Sequence, residues 1–394
     1  TANGSRALQY NTTGQLNTAN GYQALQSNTI GNANTANGYQ TLQFNTTGAA
    51  NTANGYNALR FNTTGNGNNA NGNNALLRNT VGSYNSAQGT DALYNNVDGN
   101  HNTANGYRAL YSTKLDSFSG GNNTANGSQA LFRNSYGSNN TANGYLALSN
   151  NTTADNNTAN GTYALRYNTT GGGNTANGIG ALMNNTTASF NTANGDESLF
   201  SNTSGQDNTA IGYRALYSNT TGGANTANGV DALKSNTTGN ENTANGSFAL
   251  YSNTTGGANT ANGAAALLSN TTGAANTANG IAALQSNTTG DYNTALGYKA
   301  NVGSGNLTNA TAIGNGAIVS ASNSVRIGNR TVSRIGGQVA WTNLSDGRIK
   351  ENVQEAVPGL SFIAQLRPVT YTLNTRKQDD ITMQAMPDSI KERR

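Results

Sequence analysis

Small apolar and polar residues recur along this chain with a period of 17 residues. A tetrapeptide like Thr-Ala-Asn-Gly occurs eighteen times, and the spacing of its glycines departs from 17 once, between Gly106 and Gly127, where it is 21. All copies carry Ala two residues before the glycine, and seventeen carry Leu four residues after it. Stacked units that contact mainly their neighbours tolerate such an insertion, here near residues 114–120. The pattern predicts an elongated solenoid.

Each repeat is long enough for one coil made of two short strands and two turns. Asn-Thr-Thr-Gly predicts a turn, because Asn can bond its own backbone and Gly can adopt positive φ. The density of Gly, Asn and Thr disfavours helix. The predicted fold class is therefore all-β, a parallel β-solenoid that rises about 4.8 Å per coil. Its thin core is predicted to stack identical side chains, including Ala19, Leu25, Ala36, Leu42, Ala142, Leu148, Ala278 and Leu284.

The residue just before the repeat glycine forms a second regular column, which we call the outer Asn column. It is Asn in fifteen copies, and the exceptions are Gln88, Ile211 and Leu296. A position that accepts Asn or Ile indicates a semi-buried site with stacked amides. Because so lean a solenoid gains stability by association, we expect this column to face a subunit interface. The predicted interface residues are Asn20, Asn37, Asn54, Asn105, Asn143, Asn177, Ile211, Asn245, Asn279, Leu296 and Ile313.

Composition and charge exclude several classes of function. Residues 1–325 hold ten basic and ten acidic residues, so the net charge of +4 belongs to residues 326–394. A neutral shaft lacks the clustered cations that nucleic acid requires. His101, the single histidine, has no carboxylate cluster around it, and the chain has no Cys, so we expect neither a metal site nor a cofactor. No apolar run is long enough to span a membrane.

Several motifs carry a resemblance to known families. Ala210-Ile211-Gly212, Ala295-Leu296-Gly297 and Thr311-Ala312-Ile313-Gly314, followed by Val325-Arg326-Ile327-Gly328, resemble the YadA-like head repeats of trimeric autotransporter adhesins. That family forms a left-handed parallel β-roll in which three chains pack side by side. The resemblance therefore implies a left-handed, trimeric shaft, although Asn replaces the Ile of the family and the period is longer over residues 1–292.

Composition changes after about Arg330, where Trp341 and all three prolines occur. The stretch Leu344-Ser345-Asp346-Gly347-Arg348-Ile349-Lys350-Glu351-Asn352-Val353, followed by Leu366-Arg367-Pro368-Val369 and Tyr371, is similar to the start of the intramolecular chaperone domain of phage endosialidases and tail spikes. The resemblance implies a small α+β segment that trimerises a fibre, assists its folding and often cuts itself off. We expect this domain to continue beyond residue 394.

The resemblance also implies a self-cleavage site. Ser345 can attack the carbonyl carbon of Leu344 to give an ester that water resolves, provided that a base takes its proton. Lys350 is the candidate base if desolvation lowers its pKa. The alternative is that Ser345 lies in an ordinary turn and Lys350 is a solvated charge. Beyond this single turnover, we expect no enzymatic activity.

These observations predict a shaft at residues 1–329, a connector at 330–344 and a chaperone segment at 345–394. Residue 1 lies inside a repeat, so we expect the natural chain to begin upstream. The predicted function is an extracellular, trimeric fibre on a cell surface or virion-like particle, either an adhesin or a tail fibre, that recognises a cell-surface or glycan receptor.

Two other interpretations of the shaft stay open. The Thr column three residues before the repeat glycine suggests an ice-binding solenoid that uses a Thr/Asn face. Tyr follows the glycine in seven copies, including Tyr22, Tyr39 and Tyr56, and these rings either bind a ligand or cover the edge of the solenoid. Hydrolysis of glycans is disfavoured, because Asp196 and Glu197 are the only adjacent acidic pair in the shaft.

Overall fold

The computed structural model describes residues 1–112 and 120–337. The chain divides into two units, Thr1–Ile335 and Gly336–Arg394, and the fold described below is that of the first. It contains strands and turns, with no helix in the described ranges. The strands are β1 Ala2–Asn3, β2 Thr18–Asn20, β3 Thr35–Asn37, β4 Thr52–Asn54, β5 Asn69–Asn71, β6 Ser86–Gln88, β7 Thr103–Asn105, β8 Thr124–Asn126, β9 Thr141–Asn143, β10 Thr158–Asn160, β11 Thr175–Asn177, β12 Thr192–Asn194, β13 Thr209–Ile211, β14 Thr226–Asn228, β15 Thr243–Asn245, β16 Thr260–Asn262, β17 Thr277–Asn279, β18 Thr294–Leu296, β19 Asn301–Val302, β20 Ala310–Ile313, β21 Ile318–Val319 and β22 Ser324–Ile327.

Twenty of these strands form one parallel sheet, to which each coil contributes one strand. Residues pair with their equivalents one repeat away, as Thr158, Ala159 and Asn160 do with Thr175, Ala176 and Asn177. The structure is therefore the predicted all-β solenoid, with about 19 coils of about 17 residues. In the last coils the period shortens to 14, where Ala310 pairs with Ser324.

The four-residue insertion leaves the stacking unchanged. Thr103 of β7 pairs with Thr124 of β8 although 21 residues separate them, and Ala104 pairs with Ala125. The extra residues therefore add length to one coil without shifting the register of the next.

The expectation of two strands per coil is wrong for most of the shaft. Each repeat contributes one three-residue strand, and a second strand appears only in β19 and β21 near the end of the described unit. The cause lies in the backbone after the repeat glycine. The Leu of each of the seventeen repeats that carry one has φ between 48° and 53°, and the residue two positions earlier is also left-handed in most coils, as Gln23 is with φ of 57°. An extended strand cannot contain such residues.

Hydrogen bonds between coils nonetheless continue through these turns. The Leu25 N–H donates to Thr41 O at 3.0 Å, and the Ser27 N–H donates to Gln43 O at 2.9 Å. A left-handed conformation costs a non-glycine residue about 1–2 kcal/mol. Burial of the Leu side chain, at roughly 1.5–3 kcal/mol, offsets this cost.

The repeat glycine is required by both conformation and space. Its φ lies between 122° and 145° in all eighteen copies, a region that residues with a Cβ rarely adopt. A Cβ on Gly178 would lie 2.5 Å from the carbonyl oxygen of Gly195 in the next coil. The coils can therefore stack at strand spacing only if this position carries no side chain.

Alanine and leucine fill the apolar part of the interior. The predicted core residues are fully buried, namely Ala19, Leu25, Ala36, Leu42, Ala142, Leu148, Ala278 and Leu284. A further Ala three residues after the repeat glycine, such as Ala24, is buried beside the Leu in most coils. Each coil thus contributes only two methyl groups and one isobutyl group to the interior, so the apolar core is small.

Asparagine fills the remainder, which the sequence did not lead us to expect. Asn28 begins the segment that reads Asn-Thr-Thr-Gly in most repeats and Asn-Thr-Ile-Gly here; it is fully buried and belongs to the first inner Asn column. Its Nδ2 donates to Asn11 Oδ1 at 2.7 Å and to Gly31 O at 3.0 Å, and its Oδ1 accepts from Asn45 Nδ2 at 2.7 Å. The predicted bond to its own backbone is thus present, and an amide ladder between coils accompanies it.

The second inner Asn column consists of the residue that precedes each strand. Asn34 Nδ2 donates to Gly48 O at 2.8 Å, and Asn34 Oδ1 accepts from the backbone N–H of Asn51 at 3.0 Å. Gly48 O also accepts from Asn45 Nδ2 at 2.9 Å, so one carbonyl oxygen joins both columns. The interior is therefore a mixed core, in which the polar groups are bonded from coil to coil.

Removal of one amide from the first inner column should be costly. Asn185 is fully buried, its Nδ2 donates to Asn168 Oδ1 at 2.9 Å, and its Oδ1 accepts from Asn202 Nδ2 at 2.9 Å. We expect Asn185→Ala to lower the free energy of unfolding by about 2–4 kcal/mol, because it leaves two buried groups without partners. Asn160→Ala in the outer column should cost less than about 1 kcal/mol, since Asn160 is half-buried and water can replace its partners. Denaturant unfolding measures both, and equal losses would contradict the proposed role of the inner column.

Candidate interaction surfaces

The outward face of the sheet carries two columns of polar side chains. Within each strand the central Ala is buried, whereas the flanking Thr and Asn are half-buried or exposed, as in Thr141, Ala142 and Asn143. Alternation of side chains along a strand places Thr and Asn on the same outer face. The shaft therefore presents a continuous Thr/Asn surface along its length.

Amides of the outer Asn column are linked in a ladder. Asn37 Nδ2 donates to Asn54 Oδ1 at 2.8 Å, and Asn143 Nδ2 donates to Asn160 Oδ1 at 2.7 Å. The predicted stacking of these amides is thus present. The ladder uses one N–H of each amide, so the column keeps hydrogen-bonding capacity for an external partner.

The predicted interface residues all lie on this column, and they differ in exposure. Ile211 and Leu296 are 41% and 49% exposed, so each places an apolar side chain within the amide ladder. Asn20, Asn105, Asn245 and Asn279 are exposed in the single chain, and Asn37, Asn54, Asn143, Asn177 and Ile313 are half-buried.

A second face is formed by the segment that follows each repeat glycine, and we call it the aromatic face. Tyr22, Tyr39 and Tyr56 stack with ring centroids 5.2 and 5.3 Å apart, about the strand spacing. Tyr94, Tyr111 and Phe132 form a second stack, with distances of 5.1 and 5.3 Å. Burial raises the pKa of Tyr111, and the nearby Tyr94 and Asp91 add to this effect. The rings thus cover the edge of the solenoid, coil upon coil.

Four arginines on the aromatic face each pack against two aromatic rings. Their guanidinium carbons lie 4.8–5.7 Å from the ring centroids. These arginines lie three coils apart, in the coils that begin at Gly55, Gly106, Gly161 and Gly212. The four are Arg60, Arg108, Arg166 and Arg214.

Acidic residues orient two of these four arginines. Arg108 Nε lies 3.3 Å from Asp91 Oδ2, and Arg214 Nε lies 2.6 Å from Glu197 Oε2, in each case across one coil boundary. The hydrogen bond to Glu197 raises the pKa of Arg214. Surface ion pairs contribute little to stability, so the main effect of these contacts is to fix the guanidinium groups between the rings.

The carboxylates of the adjacent acidic pair have structural partners. Asp196 Oδ1 accepts from the Ile179 N–H at 3.0 Å, while Glu197 is paired with Arg214. Across residues 1–112 and 120–337, no group of three His, Cys, Asp or Glu side chains could hold a metal ion. His101 stacks on Tyr84 at 5.2 Å. Within the same ranges there is no helix of the length and apolarity needed to cross a bilayer.

Comparison with known families concerns the end of the chain. Residues 345–385 match the family model described as chaperone of endosialidase, which confirms the resemblance seen around Ser345. Comparison with curated proteins finds no match. Ser345 and Lys350 lie inside the matched range but outside the residues that the structure describes. A β-solenoid joined to a segment of this family fits a structural protein of the tail-fibre type, and it is consistent with a chain that is not an enzyme.

Sequence reasoning missed the inner Asn columns and the three-coil spacing of the arginines. The first had a signal, because the Asn of Asn-Thr-Thr-Gly recurs almost as regularly as the core Ala. A polar residue that is as invariant across repeats as the core residues is a candidate for burial. The three-coil spacing of the arginines becomes visible only when the repeats are aligned across the insertion.

Proposed function

We propose that this chain is the shaft and folding segment of an extracellular, trimeric fibre, either a tail fibre of a phage-like particle or a bacterial surface adhesin. The observation that carries the proposal is the match at residues 345–385 directly after a solenoid of about 19 coils. Until neighbouring coils and chains are in place, a solenoid of this kind exposes unpaired strand edges and apolar side chains that are prone to aggregate, so it profits from a segment that assists folding and assembly. The tail-fibre form is favoured over the adhesin form by this match.

The lean interior favours a trimeric state. Each coil buries about two Ala, one Leu and two Asn side chains, which is little apolar surface for a free-standing chain. The outer Asn column supplies a regular surface for contacts between subunits, in which Ile211, Leu296 and Ile313 add apolar contacts. The left-handed turn of the solenoid and the YadA-like packing of three chains belong to this same proposal.

Mass in solution tests the oligomeric state. The full chain should sediment at three times its mass of 40.4 kDa. Ile211→Lys should raise the protein concentration at which the trimer dissociates by roughly tenfold or more, because it brings three like charges into the interface. Thr170→Lys, at an exposed position on a different column, is the matched control and should leave the mass unchanged. A monomer at micromolar concentration would refute the trimer.

Self-cleavage is the second part of the proposal. In the full-length protein, Ser345 Oγ should attack the carbonyl carbon of Leu344, the peptide bond should break as the ester forms, and water should then release a fragment that ends at Leu344. Ser345→Ala removes the nucleophile and Lys350→Ala removes the base, so both variants should stay intact and still trimerise. Mass spectrometry reads the result, and an unmutated protein without this fragment would show that Ser345 is a turn residue.

The Thr/Asn face also supports an ice-binding candidate. Thr and Asn lie on one outer face and stay in register from strand to strand, and a regular array of this kind is what such a function requires. This candidate needs the face open to water, whereas the trimer covers it. Thermal hysteresis of the purified chain should therefore be absent if the trimer is correct. Hysteresis that is lost on Thr260→Tyr and kept on Thr255→Tyr, outside this face, would favour ice binding instead.

A further inference from the structure

A furrow runs along the shaft over the five coils that begin at Gly127, Gly144, Gly161, Gly178 and Gly195. It lies between the columns six and eight residues after the repeat glycine, on either side of the buried first inner Asn column. Its volume is about 760 Å³. One bank includes Arg133, Asn150 and Tyr167, and the other includes Thr152, Thr169 and Thr186.

The Thr bank presents hydrogen-bond acceptors. Thr152 Oγ1 donates to Thr169 O at 3.1 Å, Thr169 Oγ1 donates to Thr186 O at 2.9 Å, and Thr186 Oγ1 donates to Thr203 O at 3.1 Å. Each hydroxyl proton is thus committed to the next coil, and only oxygen lone pairs are left for a ligand. A row of acceptors at the strand spacing suits a linear ligand with donors at regular intervals. The hydroxyl groups of a polysaccharide provide such donors.

The opposite bank supplies an aromatic ring and a cation. The Tyr167 side chain is 38% exposed, and the Arg166 guanidinium carbon lies 4.9 Å from the centroid of its ring. Tyrosine offers a rigid, amphipathic contact surface on which the apolar face of a pyranose can pack. Arg133 lies two coils away at an exposed position and is suited to a carboxylate or sulfate group. The ligand chemistry is therefore that of an acidic sugar chain.

The same chemistry recurs elsewhere along these columns. A smaller groove of about 320 Å³ is lined by Phe61 and Arg78 on one bank and by Thr80 and Val97 on the other. The column that carries the aromatic and arginine residues also accepts small side chains, since Ser201, Ser218 and four later residues occupy it. The fold does not need an aromatic ring or a cation at these positions, so their pairing in both grooves points to a ligand.

We propose that the furrow binds a linear acidic polysaccharide that lies parallel to the shaft, with a sugar ring on Tyr167 and an acidic group on Arg133. This inference rests on the proposed extracellular fibre and names its receptor class. Nucleic acid is disfavoured, because the furrow lining includes one charged residue and phosphate neutralisation needs several cations. A second copy of the chain is also disfavoured, because Tyr167 is the one large apolar side chain in the furrow lining, whereas the centre of a subunit interface usually groups several.

Calorimetric titration of the full chain with polygalacturonate oligosaccharides tests the proposal, with neutral β-1,4-glucan oligosaccharides of equal length as comparison. Tyr167→Ser and Arg133→Ser introduce the residue that this column carries elsewhere, so both variants should fold. Tyr298→Ser is the matched control, because Tyr298 is 49% exposed on a distant coil in a column that includes Ser128 and Ser247. We expect each furrow variant to weaken binding of the acidic ligand roughly tenfold or more, and the control to leave it unchanged.

The outcomes distinguish a failure of the furrow proposal from a failure of the proposed trimeric fibre. Loss of affinity in both furrow variants, with stronger binding of the acidic than of the neutral ligand, supports the proposal. Absence of binding, equal binding of both ligands, or variants that bind as the unmutated chain does would overturn it. If Tyr167→Ser lowers the mass in solution, the furrow is a subunit interface and the proposal fails. If the chain is a trimer but binds no glycan, the proposed fibre is unaffected and only the proposed polysaccharide binding is contradicted.

Discussion

A buried asparagine side chain must find acceptors for its N–H groups and a donor for its oxygen, and in the first inner column the two neighbouring coils and a carbonyl oxygen three residues on supply them. Asn45 donates to Asn28 and accepts from Asn62, so successive coils complete each other's hydrogen bonds. An unpaired buried amide costs about 1–3 kcal/mol, and a shift of register would unpair a whole column at once. This constraint fixes the period, the register and the alignment of the outer columns.

The same constraint explains how the chain maintains an unusual backbone. Left-handed residues such as Leu25 and Gly21 turn the chain back within 17 residues, which brings Asn28 and Asn34 to the interior in every coil. The unfavourable left-handed conformation and the burial that offsets it occur together in each coil, so strain does not accumulate along the shaft. The insertion before Gly120 is harmless for the same reason, since Asn123 resumes the second inner column by accepting Asn140 Nδ2 at 3.2 Å.

The sequence predicted the parts of this fold that rest on periodicity. Strand position, parallel pairing and the stacked amides of the outer column follow from residues that recur every 17 positions. The turns could not be predicted from residue type, because a left-handed Leu25 is unfavourable in isolation and is stabilised only by its buried contacts in the stack. The burial of Asn28 was missed although its column recurs almost as regularly as the core Ala. Asn is polar, and only the geometry of neighbouring coils shows that its amide is fully satisfied.

Function in such a molecule depends on the positions that the stack leaves free. The interior and the glycine column are nearly identical from coil to coil, so they carry no information about a ligand. The columns at positions one, two, five and six after the repeat glycine vary widely, and there the chain places its arginines and aromatic rings at particular coils. Arg60, Arg108, Arg166 and Arg214 recur every third coil, which at about 4.8 Å per coil is roughly 14 Å. Because the interior is regular, the side chains that vary on the surface are held in a linear array with defined spacing. A partner with a repeating structure can match such an array.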